Sequence, residues 1–236
     1  MLIFAHRGAS AIAPENTLLS IQTAIDSNVD GIEIDIFEID GQLLVIHDRW
    51  LERTTSGSGL LTQHSFADLR QLDAGKGQKI PTLDEVLAIM PKHCLLNIEL
   101  KGINNIELLL QCIDQGVLKY NITTKQLLLS SFNHHQLYAI TQQRPELAIG
   151  ALTASLPLTY ATFATALNAY SVHISIDTIS KDFVLDAHQR GLQVYVYTVD
   201  RLEDIYLLTS LGVDGIFANN PKQARLYMDN IQADMT

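Results

Sequence analysis

The sequence predicts an α/β fold whose parallel strands close into an eight-stranded barrel, and three observations predict it. Short apolar runs alternate with amphipathic stretches along nearly the whole chain, as when strands and helices cover one another's faces. Eight parallel-type strands can be placed, each followed by a helical or helix-containing segment, which is the count of a closed (β/α)8 barrel. The alternative is an open doubly wound sheet, and no GxGxxG or Walker-type glycine loop supports it.

Leu2 to Ala5 is an apolar run ending in His6-Arg7-Gly8, a strand followed by a glycine turn. Pro14-Glu15-Asn16-Thr17 opens an amphipathic helix to about Ser27, with Leu18, Ile21, Ala24 and Ile25 on one face. From Gly31, Glu33 and Asp35 alternate with Ile32, Ile34 and Ile36. On a strand this turns both carboxylates one way and the isoleucines the other. Asp40-Gly41 is a tight-turn signal, followed by the apolar run Leu43 to Ile46 and then His47-Asp48. A parallel crossover needs about a dozen residues, more than lie between these runs, so the second run returns antiparallel. Folding about Asp40-Gly41 sets His47 beside Ile34, level with the carboxylates.

Residues 49–81 break the rhythm. Thr54 to Gly59 is loop-like, Phe66 to Leu72 fits a short helix, and Gly75-Lys76-Gly77 is loop again. An irregular excursion of this length reads as a small lid-like insertion. Thr82 then caps a helix to Met90, with Glu85 completing a capping box. Strands follow at Leu95–Leu100, Gln126–Ser131, Leu147–Ala151, Val172–Ile176, Gln193–Tyr197 and Gly215–Phe217. Helical patterns lie between them at 104–118, 133–143, 158–169, 181–190 and 201–210, with Gly191 and Gly212 where C-caps belong.

The 236 residues suit one large domain, and with 47% hydrophobic and 18% charged residues they can bury a substantial core. A net charge of −10 argues against nucleic acid or an anionic membrane as partner. No apolar run approaches the roughly 20 residues that span a bilayer. Met1-Leu2-Ile3-Phe4 carries no basic n-region or cleavage site, so no secretory signal is expected. Cys94 and Cys112 lack a metal-type spacing and read as two reduced thiols of a cytoplasmic protein. No feature specifies an oligomeric state.

In such a barrel the chemistry sits at the C-terminal ends of the strands. The polar residues there are His6 and Arg7, then Glu33 and Asp35, then Glu99 and Lys101. Asn97, Glu99 and Lys101 repeat the period-two pattern between Ile98 and Leu100. Burying three uncompensated carboxylates costs several kcal/mol each. With only Arg7 and Lys101 as nearby cations, they point to a divalent metal, and all-oxygen ligation favours Mg²⁺ or Ca²⁺ over zinc. Glu33-x-Asp35 alone would fit a half-exposed strand with a solvated face; its repetition on Glu99-x-Lys101 favours a site. A lone His6 or His47 would read as structural, but His-Arg-Gly at one strand end and His-Asp at a hairpin end point to catalysis. Glu15 in the first turn of a helix complements its dipole and stands as a supporting residue behind the site. Adjacent strand residues face opposite ways, so His47 and Asp48 are not expected to form a dyad. His64, His93, His134, His135, His173 and His188 occur in no supporting constellation.

His6-Arg7-Gly8, Pro14-Glu15-Asn16-Thr17, Gly31-Ile32-Glu33-Ile34-Asp35, Asp40-Gly41 through His47-Asp48, Asn97-Ile98-Glu99-Leu100-Lys101 and Gly212 to Phe217 resemble the ordered motifs of the glycerophosphodiester phosphodiesterases. Arg53-Thr54-Thr55 to Gly59 and Ile80-Pro81-Thr82-Leu83 resemble that family's insertion and its exit. The likeness runs from His6 to about Pro221. It implies a TIM barrel with a small insertion after the second-strand hairpin, acting on deacylated phospholipids such as glycerophosphocholine and glycerophosphoethanolamine. The products would be glycerol 3-phosphate and the free alcohol. By matched position, Glu33, Asp35 and Glu99 would hold the metal, His6 and His47 would be the acid/base pair, and Arg7 would hold the phosphate with Lys101 beside it. Attack by the glycerol 2-hydroxyl through a cyclic phosphate is the expected route.

Two positions depart from the family pattern. Tyr197 stands where Trp is frequent, which keeps an aromatic wall for the substrate. Ala218-Asn219-Asn220-Pro221 replaces Thr or Ser followed by Asp. Neither change is expected to touch the metal or histidine positions. Two other functions are compatible with the motifs: a phospholipase D-type barrel acting on lysophospholipid or sphingomyelin, which needs an apolar mouth, and a non-catalytic metal- or phosphate-binding barrel. Paired histidines argue against the last.

Overall fold

The computed structural model describes residues 1–120 and 122–234. Its strands are β1 (Leu2–His6), β2 (Gly31–Ile39), β3 (Gln42–Val45), β4 (Leu95–Gly102), β5 (Leu127–Ser131), β6 (Ala148–Thr153), β7 (Ser171–Ser175), β8 (Gln193–Tyr197) and β9 (Gly215–Ala218). All but β3 pair in parallel with the next, and β1 joins both β9 and β2, so eight parallel strands close into a barrel. β3 is the antiparallel return of a hairpin, with Ile36 opposite Val45. The Ile46 amide continues the ladder onto the Asp35 carbonyl.

The helices are α1 (Leu18–Asp26), α2 (Phe66–Leu69), α3 (Leu83–Ile89), α4 (Ile106–Tyr120), α5 (His134–Gln143), α6 (Thr162–Thr165), α7 (Lys181–Gln189), α8 (Leu202–Leu211) and α9 (Pro221–Asp234). The Thr82–Glu85 capping box is present, and Gly191 and Gly212 both take the left-handed conformation after their helices. The helix expected over 158–169 contracts to the single turn α6. Tyr160 and Asn168 have positive φ there, which an α-helix cannot contain. α1 starts at Leu18 on a Thr17 cap, so Pro14 to Asn16 belong to the loop before it.

Alternation along the strands divides the apolar residues between two sides. Ile3, Ala5, Ile32, Ile34, Ile98, Leu129, Val194 and Ile216 join the main core under the helices. Residues of the other parity, Phe4, Leu128, Tyr195 and Phe217, form a separate cluster that fills the lumen at its lower end. Gly31 makes room for it, because a Cβ there would lie 2.4 Å from the Phe4 ring.

The insertion is more than a loop. Leu51, Leu61, Leu69, Ala74 and Ile80 bury themselves with Ile39, Leu44 and Ile46 of the hairpin, and Phe66 and Leu72 pack against them. The scattered apolar residues of 49–81 thus build a core of their own against the hairpin face that carries Leu44 and Ile46, opposite the face whose Leu43 and Val45 join the main core.

Candidate active site

The strand register assembles the site. His6 lies beside Glu33, Glu33 beside Asn97 and Asp35 beside Glu99 as paired Cα positions. All share the lumen parity of Phe4, so each polar layer stands above the aromatic floor. With Arg7, His47, Lys101 and Tyr197 from the strand ends and hairpin, His6, Glu33 and Glu99 line one cavity of about 190 Å³. Gly8 turns the chain sharply after β1: its φ is +76°, and a Cβ would come within 2.5 Å of Ser20. Arg7 itself has a φ of 58°, strain of the kind that gathers at functional sites.

Glu33, Asp35 and Glu99 each offer an oxygen within 4.8 Å of the others. They are 2%, 1% and 9% exposed. Burial, reinforced by Asp35 and Glu99, pushes Glu33 well above the usual carboxylate range. Burial and Asp35 raise Glu99 to about 7, with Lys101 pulling the other way. Lys101 sits 2.5 Å from Glu99 and 3.5 Å from Asp35. The Arg7 backbone N–H donates to Glu33 Oε2 at 2.8 Å, while Glu33 Oε1 is buried with no hydrogen-bond partner among the described residues. An all-carboxylate donor set with an unpartnered buried oxygen, held together against its own repulsion, fits a hard divalent cation.

Asp35 is held by Asn16, whose side-chain amide donates to Oδ2 at 2.9 Å and accepts the Asp35 backbone N–H at 3.2 Å. Glu15, placed in the loop before α1, is no helix-dipole partner. It takes an Arg7 hydrogen bond at 2.9 Å and two from Arg53 at 2.6 and 2.8 Å. Arg7 also lies 3.4 Å from Asp35. Burial opposes its charge, but Asp35, Glu15 and Glu33 together hold it above its usual range.

The two histidines have different partners. His6 Nδ1 lies 2.8 Å from Asn219 Oδ1. Burial and then the neighbouring Arg7 lower His6 to about 4, which leaves the imidazole neutral at pH 7. His47 Nδ1 lies 2.5 Å from Asp48 Oδ1, and Asp48 Oδ2 accepts from Arg53 Nε at 2.5 Å. That arginine bond, followed by His47, lowers Asp48 to about 2 against the effect of its partial burial. His47 and Asp48 therefore are a dyad, contrary to the alternation argument. β3 ends at Val45, and past it the chain bends, so strand parity no longer governs adjacent side chains.

Tyr197 lines the cavity, its hydroxyl donating to the Thr153 carbonyl at 2.8 Å. Phe132 stands edge-on to it at 6.1 Å and lies 5.7 Å beneath the Lys101 ammonium. Sequence reasoning missed Asn16, Arg53, Phe132 and Asn219. Asn16 and Arg53 lay inside quoted motifs without a role, and Phe132 directly follows a strand, the place where barrel sites collect their residues. Asn219, which the sequence places near the barrel mouth without contact to the histidine positions, touches His6.

Residues 6–223 match the family model described as the glycerophosphoryl diester phosphodiesterase family. A glycerophosphodiester phosphodiesterase of Caldanaerobacter subterraneus is 35% identical over 94% of this chain and 95% of its own length. One from Bacillus subtilis is 32% identical over 94% of this chain and 84% of its own. Among solved structures, an Oleispira antarctica phosphodiesterase in complex with the product sn-glycerol-3-phosphate superposes with a TM-score of 0.88 at 29% identity, covering 97% of each chain. Barrel, motif order and relatives agree: the chain belongs to the glycerophosphoryl diester phosphodiesterase family.

Proposed function

We propose that this chain hydrolyses glycerophosphodiesters to glycerol 3-phosphate and an alcohol, using a divalent cation held by Glu33, Asp35 and Glu99 and proton transfer by His6 and His47. The observation that carries the proposal is one cavity of about 190 Å³ lined by both histidines, by Glu33 and Glu99, and by Arg7 and Lys101. Mere binding of a metal or a phosphate needs no pair of imidazoles.

A phosphodiester monoanion repels nucleophiles, and its alkoxide leaves poorly. Arg7 and Lys101 supply positive charge for the non-bridging oxygens. Mg²⁺ or Ca²⁺ in the carboxylate cluster would add Lewis-acid polarisation and orient the phosphate. Tyr197 forms a wall for the glycerol or head group. The glycerol 2-hydroxyl attacks phosphorus while one imidazole accepts its proton. The bond to the head-group oxygen breaks, and the other imidazole protonates it as the alcohol leaves. Water then opens the cyclic phosphate with the histidine roles reversed, giving glycerol 3-phosphate.

Most of the insertion's apolar residues go into its own core. Trp50, at 50%, is the one large apolar side chain it leaves exposed, which gives little support to a lipid-facing reading of the mouth. We take the working unit to be one catalytic domain over 1–236 carrying 49–81 as an insertion. A cytoplasmic setting suits the free Cys94 and Cys112. Among the described residues no helix is long and apolar enough to cross a membrane.

The test is an assay on several glycerophosphodiesters after chelation, with Mg²⁺ or Ca²⁺ added back and glycerol 3-phosphate release as the readout. Activity should vanish and return with the metal. A substrate methylated on the 2-hydroxyl should be inert, and its cleavage at the parent rate would remove the cyclic route.

A further inference from the structure

The loop after β9 carries an arrangement that the proposed reaction has not yet used. Asp200, after β8, accepts the backbone N–H of Asn219 at 2.8 Å and of Asn220 at 3.3 Å on Oδ1. Its Oδ2 accepts the Asn219 side-chain N–H at 2.6 Å. An ionised carboxylate can only accept, so it dictates which way the Asn219 amide is turned. The NH₂ group faces Asp200 and the carbonyl oxygen faces His6. The Ser10 hydroxyl donates into that same oxygen at 3.0 Å. A carbonyl oxygen cannot donate, so the short contact to His6 Nδ1 at 2.8 Å requires the hydrogen to be on the imidazole.

We propose that Asn219, oriented by Asp200, is a positioning residue that fixes His6 as the Nδ1–H tautomer and leaves Nε2 as the proton acceptor for the reaction. This rests on the function proposed above. Among the described residues His6 Nε2 has no hydrogen bond to the protein, and the ring lines the cavity. The alternative tautomer would set the Nδ1 lone pair against the Asn219 oxygen and put the hydrogen on the nitrogen that must accept one. The arrangement also separates the two histidines chemically. His47 touches a carboxylate directly, which suits a ring that must carry an extra proton and give it up. His6 touches a neutral amide, and the negative charge of Asp200 lies one hydrogen bond further away. His6 is thereby assigned as base and His47 as acid in the first step, with the roles exchanged in the second.

The tautomer is read directly by long-range ¹H–¹⁵N spectra of the ¹⁵N-labelled protein at neutral pH, metal-free and with Mg²⁺ added, using His6→Gln to assign the His6 signals. The expected result is a protonated Nδ1 and an unprotonated Nε2 in the wild type. Asn219→Ala should shift His6 toward the Nε2–H form and lower kcat about 10–100-fold, the usual loss when a hydrogen-bond partner behind a functional histidine is removed, with KM largely unchanged. The exchange Asn219→Asp with Asp200→Asn preserves every hydrogen bond of the network. It should restore the Nδ1–H form, with kcat above that of Asn219→Ala but below wild type, because a carboxylate then replaces the neutral amide on His6. An Nε2–H tautomer in the wild type overturns the proposal, even if no variant folds. So does an Asn219→Ala protein whose kcat and His6 spectrum are both unchanged. The spectrum needs no turnover. A protein with Nδ1–H at His6 that hydrolyses no glycerophosphodiester therefore refutes the proposed function while supporting the tautomer.

Discussion

At the floor of the lumen Phe4, Leu128, Tyr195 and Phe217 are at most 6% exposed, and the three aromatics meet ring against ring, with Phe4 5.2 Å from both Tyr195 and Phe217. Two residues further along β1, and on β2 beside it, the lumen holds the half-buried His6 and the buried Glu33 and Asp35. Burial acts with opposite sign in the two layers. Removing a phenylalanine ring from water stabilises by roughly 1.5–3 kcal/mol. Removing a carboxylate from water costs several kcal/mol unless something answers its charge. The raised Glu33 and Glu99 record that cost in the metal-free protein. An apolar floor thus lets the mouth keep an arrangement that would not persist alone, and under the proposed function that strain would become cation affinity.

If stability and function are divided in this way, mutations in the two layers should fail differently. His47→Ala should lose about 10²–10⁴ in rate, the range for a general acid or base, while its unfolding midpoint in urea stays close to wild type. Phe4→Ala should do the reverse, losing about 3–5 kcal/mol of stability through the cavity it opens, with kcat per folded molecule retained. Steady-state kinetics and urea titrations on both proteins decide it. An equal kcat loss in the two would mean that floor and mouth cannot be separated.

The next effect is smaller and has an unusual sign. A carboxylate raised in the folded state contributes stability that is present below its unfolded value and lost as pH rises through the folded one, so at neutral pH it weighs against folding. Glu33→Gln should therefore stabilise the metal-free protein by about 1–3 kcal/mol. In the wild type Mg²⁺ or Ca²⁺ should raise the melting temperature, because a ligand that binds only the folded state stabilises it. In the variant that response should be lost. A Glu33→Gln protein less stable than wild type would show that the carboxylate cluster is already compensated without a cation.

What the strands carry was more legible in the sequence than what the loops bring together. Period-two runs such as Gly31 to Ile36 and Leu95 to Lys101 announce strands and faces locally, and the register that joins Asp35 to Glu99 follows from them. The carboxylate cluster was legible for the same reason. Contacts made by loops were not. His6 and Asn219 are 213 positions apart and meet only because β9 closes the barrel against β1. Arg53 reaches Glu15 and Asp48 from an insertion whose apolar residues show no period, since they pack into an irregular core. The His47–Asp48 pair was misread because strand alternation was carried past the end of the strand.

His173 lies where the two layers meet and gives the smallest test. It is 1% exposed, hydrogen-bonded through Nε2 to the Ser171 hydroxyl at 2.9 Å, and packed 5.2 Å from the Phe217 ring. Burial alone lowers it to about 3. In the unfolded chain it protonates near pH 6.5, so between those values the unfolded state binds the extra proton. Its contribution to stability is present above pH 6.5 and is lost on acidification, at about 1.4 kcal/mol per pH unit. His6, also lowered, shifts stability in the same direction, whereas Glu33 and Glu99 oppose it by taking up protons in the folded state. The wild-type profile alone is therefore a sum. The difference in slope between wild type and His173→Asn isolates this histidine, and it should amount to about 1 kcal/mol between pH 6.5 and 5.5. Parallel slopes would mean that His173 takes up a proton in the folded protein, and that water or a counter-charge reaches the aromatic floor.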